Sequence, residues 1–259
     1  MVQITATVPA VYEDEPFDEG VRHAAEAGVD AIEFFEWDRD ELDQLKDIAQ
    51  THQVDIAGIL LKNGMPSEEP AMTDPDQVDA AIEDLRDTIA AAAKLDCESI
   101  IVTVGPEQEA YSREVQHRAI VDVLRSIADE AERKDVTLGV EPLNASVDHP
   151  GYYLTSSREA YDIVEAVDSS SVSILFDVYH MQIAEGNVID SISEYADRID
   201  HYHVADVPGR HEPGTGELNY ENVVRAIADT GFDGYIGCEF WPTDDPDATL
   251  EAAVELLRQ

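Results

Sequence analysis

A chain of 259 residues, 44% of them hydrophobic, has enough apolar mass for a sizeable core, and 57 acids against 16 bases leave a formal net charge of −41. That balance excludes the basic surface with which proteins displace counterions from nucleic acid, and no apolar run approaches the roughly 18 residues that cross a bilayer. The acids alternate with apolar positions, as in "VDAAIEDLRDTIAAAAKLDC" (78–97), which reads as folded helices with carboxylate-coated outer faces, not as a disordered tract.

Such a coat repels itself in dilute buffer and suits concentrated salt, which at about 1 M screens charges to about 3 Å, so a halophilic source is expected. The opening "MVQITATVPA" has no basic n-region or extended apolar core. No secretory signal is read there, and a cytoplasmic location is expected.

The first strand candidate is "QITATV" (3–8), followed by a helix near 18–27. The turn between them has no G-x-G-x-x-G or Walker pattern. In "AIEFF" (31–35), alternation sends Ile32 and Phe34 to one face and Glu33 to the other, toward the interior of a closed sheet. A helix near 39–52 leads to "VDIAGIL" (54–60), after which Lys62 reads as a solvated loop residue. "TDPDQ" offers Asp or Thr caps to a helix near 76–95. "SIIVTV" (99–104), a helix near 112–134 and "VTLGV" (136–140) come next. "VEPLN" then supplies Glu141 and Asn144, and the loop "SVDHPGYYLTSS" supplies His149. A helix near 156–167 precedes "VSILF" (172–176), which runs directly into Asp177 and, three residues on, His180. After a helix near 187–197, "IDHYHV" (199–204) presents His201 and His203 on one face. The loop "VADVPGRHEPGTGELNY" carries Arg210, a scarce cation in this chain, and leads to a helix near 220–230. "GYIGCEF" (234–240) supplies Glu239 near its end, and a helix near 246–258 closes the pattern.

Eight strands alternating with eight helices, with no linker between them, predict a single-domain (β/α)8 TIM barrel over residues 1–259, an α/β fold. Cys97 and Cys238 are read as buried free thiols. Active sites of such barrels lie at the carboxyl ends of the strands, where the last four strands offer Glu141, Asp177, His203 and Glu239. Three carboxylates converging on one volume repel one another unless a cation neutralises them. Oxygen-rich ligation with one imidazole points to one divalent metal ion, Mn²⁺ or Mg²⁺, with Co²⁺ or Zn²⁺ as alternatives. The expected substrate-binding set is His180, Arg210, Asn144 and His201, the last a layer deeper than His203.

"VEPLN", "FDVYH", "RHEPGTGELNY" and "GYIGCEFWP", at these intervals, resemble the hydroxypyruvate isomerase family, within the xylose-isomerase-like TIM-barrel superfamily of sugar isomerases and epimerases. The resemblance runs from "GVDAIEFFEW" to the last helix. It implies that Glu141 and Glu239 bind the metal and act as catalytic proton donor and acceptor, with Asp177 and His203 completing the ligands. The implied reaction is metal-dependent conversion of hydroxypyruvate to tartronate semialdehyde, through an enediolate, by proton transfer between the two glutamates. A ketose 3-epimerase, or an isomerase of 2-oxo-tetronates or inososes, is the nearest alternative, since the epimerase branch resembles this chain at His203, His180 and Arg210. A DNA-repair enzyme like endonuclease IV is a distant one, disfavoured by eight histidines in all and a net charge of −41. The expected partner is a small unphosphorylated keto-sugar or keto-acid, with no nucleic acid and no membrane. The frequent dimers and tetramers of the superfamily leave a homo-oligomer open.

Overall fold

The β-branched runs form the eight strands that the alternation predicts. In the computed structural model, which describes residues 2–65 and 69–258, these are β1 (Gln3–Thr7), β2 (Ala31–Phe34), β3 (Asp55–Leu60), β4 (Ser99–Val102), β5 (Thr137–Val140), β6 (Val172–Asp177), β7 (Ile199–Val204) and β8 (Tyr235–Cys238). They pair in parallel in chain order, and β8 returns to β1 to close the barrel.

The outer layer is α1 (Val8–Val11), α2 (Phe17–Glu26), α3 (Leu42–His52), α4 (Val78–Leu95), α5 (Arg113–Glu132), α6 (Ser157–Val167), α7 (Val178–Ala184), α8 (Val188–Glu194), α9 (Tyr220–Asp229) and α10 (Pro246–Leu257). Two of these, α1 and α7, are short helices that periodicity alone does not predict, each starting directly where a strand ends. Asp177 explains the second. Its carboxylate accepts the Tyr179 and His180 backbone N–H groups at 2.7 and 3.1 Å, an N-cap that turns β6 straight into α7.

Strand alternation divides the molecule into two apolar regions. Outward residues such as Ile4, Ile32, Val140, Phe176, Tyr202 and Ile236 pack under the helices in the main core. Inside the barrel, Ala31, Ala57 and Tyr235 form one small cluster, and Leu60, Ile101 and Leu175 another. The polar side chains of the interior are ordered by register. Thr7, Glu33 and Gly58 are matched across β1, β2 and β3, and Asp177, His203 and Gly237 across β6, β7 and β8. Cys97 and Cys238 are buried free thiols, and among the described residues no helix is long and apolar enough to cross a membrane.

Candidate active site

Four consecutive strand ends deliver the chemistry. Glu141 stands one residue past β5, Asp177 ends β6, His203 lies on β7 and Glu239 stands one residue past β8. One ligand atom from each falls within 4.8 Å of the others, and all four residues are buried. His203 Nδ1 is 2.8 Å from Glu239 Oε2 and 3.8 Å from Glu141 Oε1, yet it is aligned with neither and has no hydrogen-bond partner. A buried ring nitrogen that faces three carboxylates without a bond is what a metal ligand looks like before the cation is added.

Arg210 enters from the loop after β7. Its backbone is left-handed, with φ 56° following Gly209 at φ 97°. Asp206 holds that loop in shape: its buried carboxylate accepts N–H groups from Val207, Gly214 and Leu218 at 2.8–3.1 Å. So placed, Arg210 Nη2 lies 2.6 Å from Glu239 Oε1 and 3.5 Å from Asp177 Oδ2, with its guanidinium 5.3 Å from the Tyr179 ring and 5.2 Å from the Trp241 ring.

Burial and charge drive these groups apart. Burial pushes the Glu141 carboxyl well above the usual range, and repulsion from Glu239 and Asp177 adds to it against the pull of His203. Asp177 is also raised by burial, with Arg210 opposing. Burial would raise Glu239 too, but Arg210 and His203 hold it down at about 2. Burial would lower His203, but the Glu33 and Glu239 carboxylates carry it well above the usual histidine value.

The remaining predicted residues divide between the cavity wall and the layer behind it. A cavity of about 1100 Å³ opens above the cluster, bordered by Glu141, His203, Glu239, His180 and Arg210 on one side. His180 accepts at Nδ1 from the Asn144 amide at 2.7 Å, which makes Nε2 its N–H; that nitrogen borders the site 3.7 Å from Asp177 Oδ2 without a hydrogen-bond partner. Burial keeps the ring well below the usual histidine pKa, and so neutral. Asn144 thus stands behind the wall and orients His180. His201 also lies behind the wall, its Nε2 2.8 Å from Glu33 Oε1, as the layer below His203 requires.

Three features escaped the sequence reading. Glu33 was placed inward, but its two histidine partners were not foreseen. Lys62 is the partly exposed loop residue expected, but it also borders the cavity, with its Nζ 3.4 Å from Asp87. Phe35, Trp37 and Trp241 make much of the wall aromatic; adjacent aromatic residues after strands two and eight were the available signal.

Residues 21–259 match the family model described as xylose isomerase-like TIM barrel. Hydroxypyruvate isomerase of Escherichia coli (strain K12) is 30% identical, covering 96% of this chain and 97% of its own. 2-oxo-tetronate isomerase of Pectobacterium atrosepticum is 28% identical, covering 93% of each chain. Among solved structures, AP endonuclease, family 2, from Brucella melitensis superposes with a TM-score of 0.91 at 26% identity, covering 98% of this chain and 99% of that one. D-psicose 3-epimerase from Clostridium cellulolyticum H10 does so at 0.84 and 21%, covering 99% and 98%, a likeness of fold.

Proposed function

Because the chain belongs to the xylose isomerase-like TIM barrel family, we propose that it is a metal-dependent isomerase of small 2-oxo acids, with hydroxypyruvate as substrate and tartronate semialdehyde as product. That it is an enzyme of the isomerase and epimerase kind follows from its relatives. The observation that carries the finer reading is the meeting of Glu141, Asp177, His203 and Glu239 within 4.8 Å, with His203 Nδ1 unbonded at its centre. Three carboxylates and one imidazole fit Mn²⁺ or Mg²⁺, and accept Co²⁺ or Zn²⁺. When bound, the ion supplies positive charge beside the substrate oxygen on which negative charge develops.

The chain's own residues do the rest. Glu141 and Glu239 border the cavity from strand ends three apart around the barrel, so substrate between them meets a carboxyl group on either side. One takes the proton from the hydroxymethyl carbon beside the carbonyl, the other delivers a proton to the former carbonyl carbon, and the hydroxyl proton passes from one substrate oxygen to the other; such general acid–base work contributes about 10²–10⁴-fold. His180 offers its Nε2–H to a substrate oxygen. Arg210, a buried guanidinium beside the cluster, anchors the substrate carboxylate in a chain that otherwise repels anions. The −41 charge supports a small-molecule substrate over nucleic acid, and the two unpaired thiols suit a reducing compartment such as the cytoplasm. The whole chain acts as one catalytic domain.

A second reading, a ketose 3-epimerase, is favoured by the cavity itself, whose volume of about 1100 Å³ and aromatic wall exceed what a three-carbon acid fills. A substrate panel with Mn²⁺ in molar KCl separates the two. Hydroxypyruvate consumed faster than any neutral ketose supports the oxo-acid isomerase; epimerised ketoses with hydroxypyruvate untouched overturn it.

A further inference from the structure

Below the four-residue cluster lies a second buried group that the proposed chemistry does not use. Glu33 is wholly buried inside the barrel, a costly place for a carboxylate without partners. Its Oε2 accepts from His203 Nε2 at 2.8 Å and from the Thr7 hydroxyl at 3.3 Å. Its Oε1 lies 2.8 Å from His201 Nε2, close but poorly aligned for a hydrogen bond. One carboxylate from strand two thus spans two histidines of strand seven.

Space has been cleared for it. A Cβ on Gly58 would stand 3.3 Å from Glu33 Cγ. A Cβ on Gly237 would stand 2.7 Å from His203 Cδ2 and 3.2 Å from Glu33 Oε2, so an alanine there would displace the ring. These two glycines are the register partners of Glu33 and His203 on the adjoining strands. The second glycine of "GYIGCEF", Gly237, is therefore matched to His203 on the preceding strand.

We propose that Glu33 is the positioning residue of the metal centre. By accepting the His203 hydrogen at Nε2 it fixes the ring's orientation and leaves Nδ1 as the nitrogen turned toward Glu141 and Glu239, while His201 lies close to its other oxygen. An outer carboxylate of this kind fixes both the tautomer and the aim of a ligating histidine. Gly58 and Gly237 are part of the same device, because a side chain at either would push the pair out of line. The inference rests on the reading of Glu141, Asp177, His203 and Glu239 as metal ligands.

The test is calorimetric Mn²⁺ titration, with Co²⁺ d–d absorption as a report of ligand geometry, on wild type, Glu33→Gln, Glu33→Leu and Gly237→Ala in molar KCl. Thermal unfolding of each metal-free protein runs alongside. Mn²⁺ binding is expected to weaken about 10- to 100-fold, more in Glu33→Leu than in Glu33→Gln, with altered Co²⁺ bands in all three. Metal-free unfolding midpoints are expected to fall as well where His201 and His203 lose their acceptor, so affinities are compared at a temperature at which each variant is folded. Should Glu33→Leu fail to fold, Glu33→Gln and Gly237→Ala carry the test. Mn²⁺ affinities within twofold of wild type in the folded variants overturn the role of Glu33. A wild type that binds neither ion overturns the metal reading beneath it.

Discussion

Glu141 and Glu239 occupy equivalent places at two strand ends, yet their surroundings divide them. Burial and neighbouring carboxylates raise Glu141, while Arg210 and His203 hold Glu239 at about 2. That division belongs to the metal-free site, because a bound cation lowers every carboxyl group around it. Replacing either with glutamine keeps its shape but removes the proton transfer proposed for it. Turnover of Glu141→Gln and Glu239→Gln is expected to fall about 10²–10⁴-fold in steady-state assays; a rate near wild type in either would end the two-carboxylate scheme. Protons also govern metal affinity. Glu141 and His203 sit above their ordinary values of 4.5 and 6.5, so the metal-free fold favours their protonated forms. Their contribution to metal-free stability is present below those ordinary values and is lost as pH climbs toward the raised ones. A cation needs both groups free of protons, so its affinity runs in the opposite direction. Protection by Mn²⁺, read as the shift in unfolding temperature against an EDTA-treated control, is expected to grow between about pH 5 and about pH 8. A shift that is constant or shrinking over that range would remove Glu141 and His203 from the ligand set.

Among the elements, the loop from β7 to α9 depends most on one side chain. Asp206 collects three backbone N–H groups, and a Cβ on Gly216 would lie 2.5 Å from its Oδ1, so the loop closes tightly around this carboxylate. The arrangement presents Arg210, at left-handed φ, to Glu239 and Asp177. Asp206→Ala leaves those donors without an acceptor, at about 1–3 kcal/mol for each group that stays buried. The expected result is a higher KM for the proposed oxo-acid substrate with a smaller change in kcat, because the role proposed for Arg210 is binding and not proton transfer. A KM equal to wild type would detach the loop from substrate binding. The same loop shows where sequence reading stops. Strands, helices and the convergence of Glu141, Asp177, His203 and Glu239 were legible because each follows from local alternation and from the rule that barrel strand ends meet in one volume. Boundaries drifted slightly: β8 stops at Cys238, short of the predicted Phe240, which leaves Glu239 just beyond the strand. Glu33 and His203 could not be joined in advance. They are 170 residues apart, and only the closed register of the sheet brings them into contact. That Lys62 also borders the cavity was illegible for a related reason, since a loop's composition gives its polarity and not the wall it borders.

At the scale of the whole molecule, the problem to solve is charge. Many of the few cations are already engaged at the surface, as in Arg22 with Glu19 and Glu26, Lys46 with Asp96, Lys94 with Asp43, and Arg113 with Glu159. Exposed pairs of this kind contribute about 0–1 kcal/mol each, too little to offset the repulsion of a net −41. What remains is screening, whose range shrinks from about 10 Å at 0.1 M salt to about 3 Å at 1 M. The unfolding midpoint is therefore expected to rise by about 10 °C between 0.1 M and 2 M KCl, equivalent to about 3–5 kcal/mol for a chain of this size. Screening must be separated from general salting-out, and a charge variant does that. Asp14, Glu109 and Asp129 are exposed and make no ion pair among the described residues. Changing all three to lysine is expected to raise the midpoint at 0.1 M KCl and to leave it nearly unchanged at 2 M, where the repulsion is already screened. An equal shift at both concentrations would locate the salt effect in hydration of the surface, and a midpoint indifferent to KCl in the wild type would remove the case for adaptation to concentrated salt.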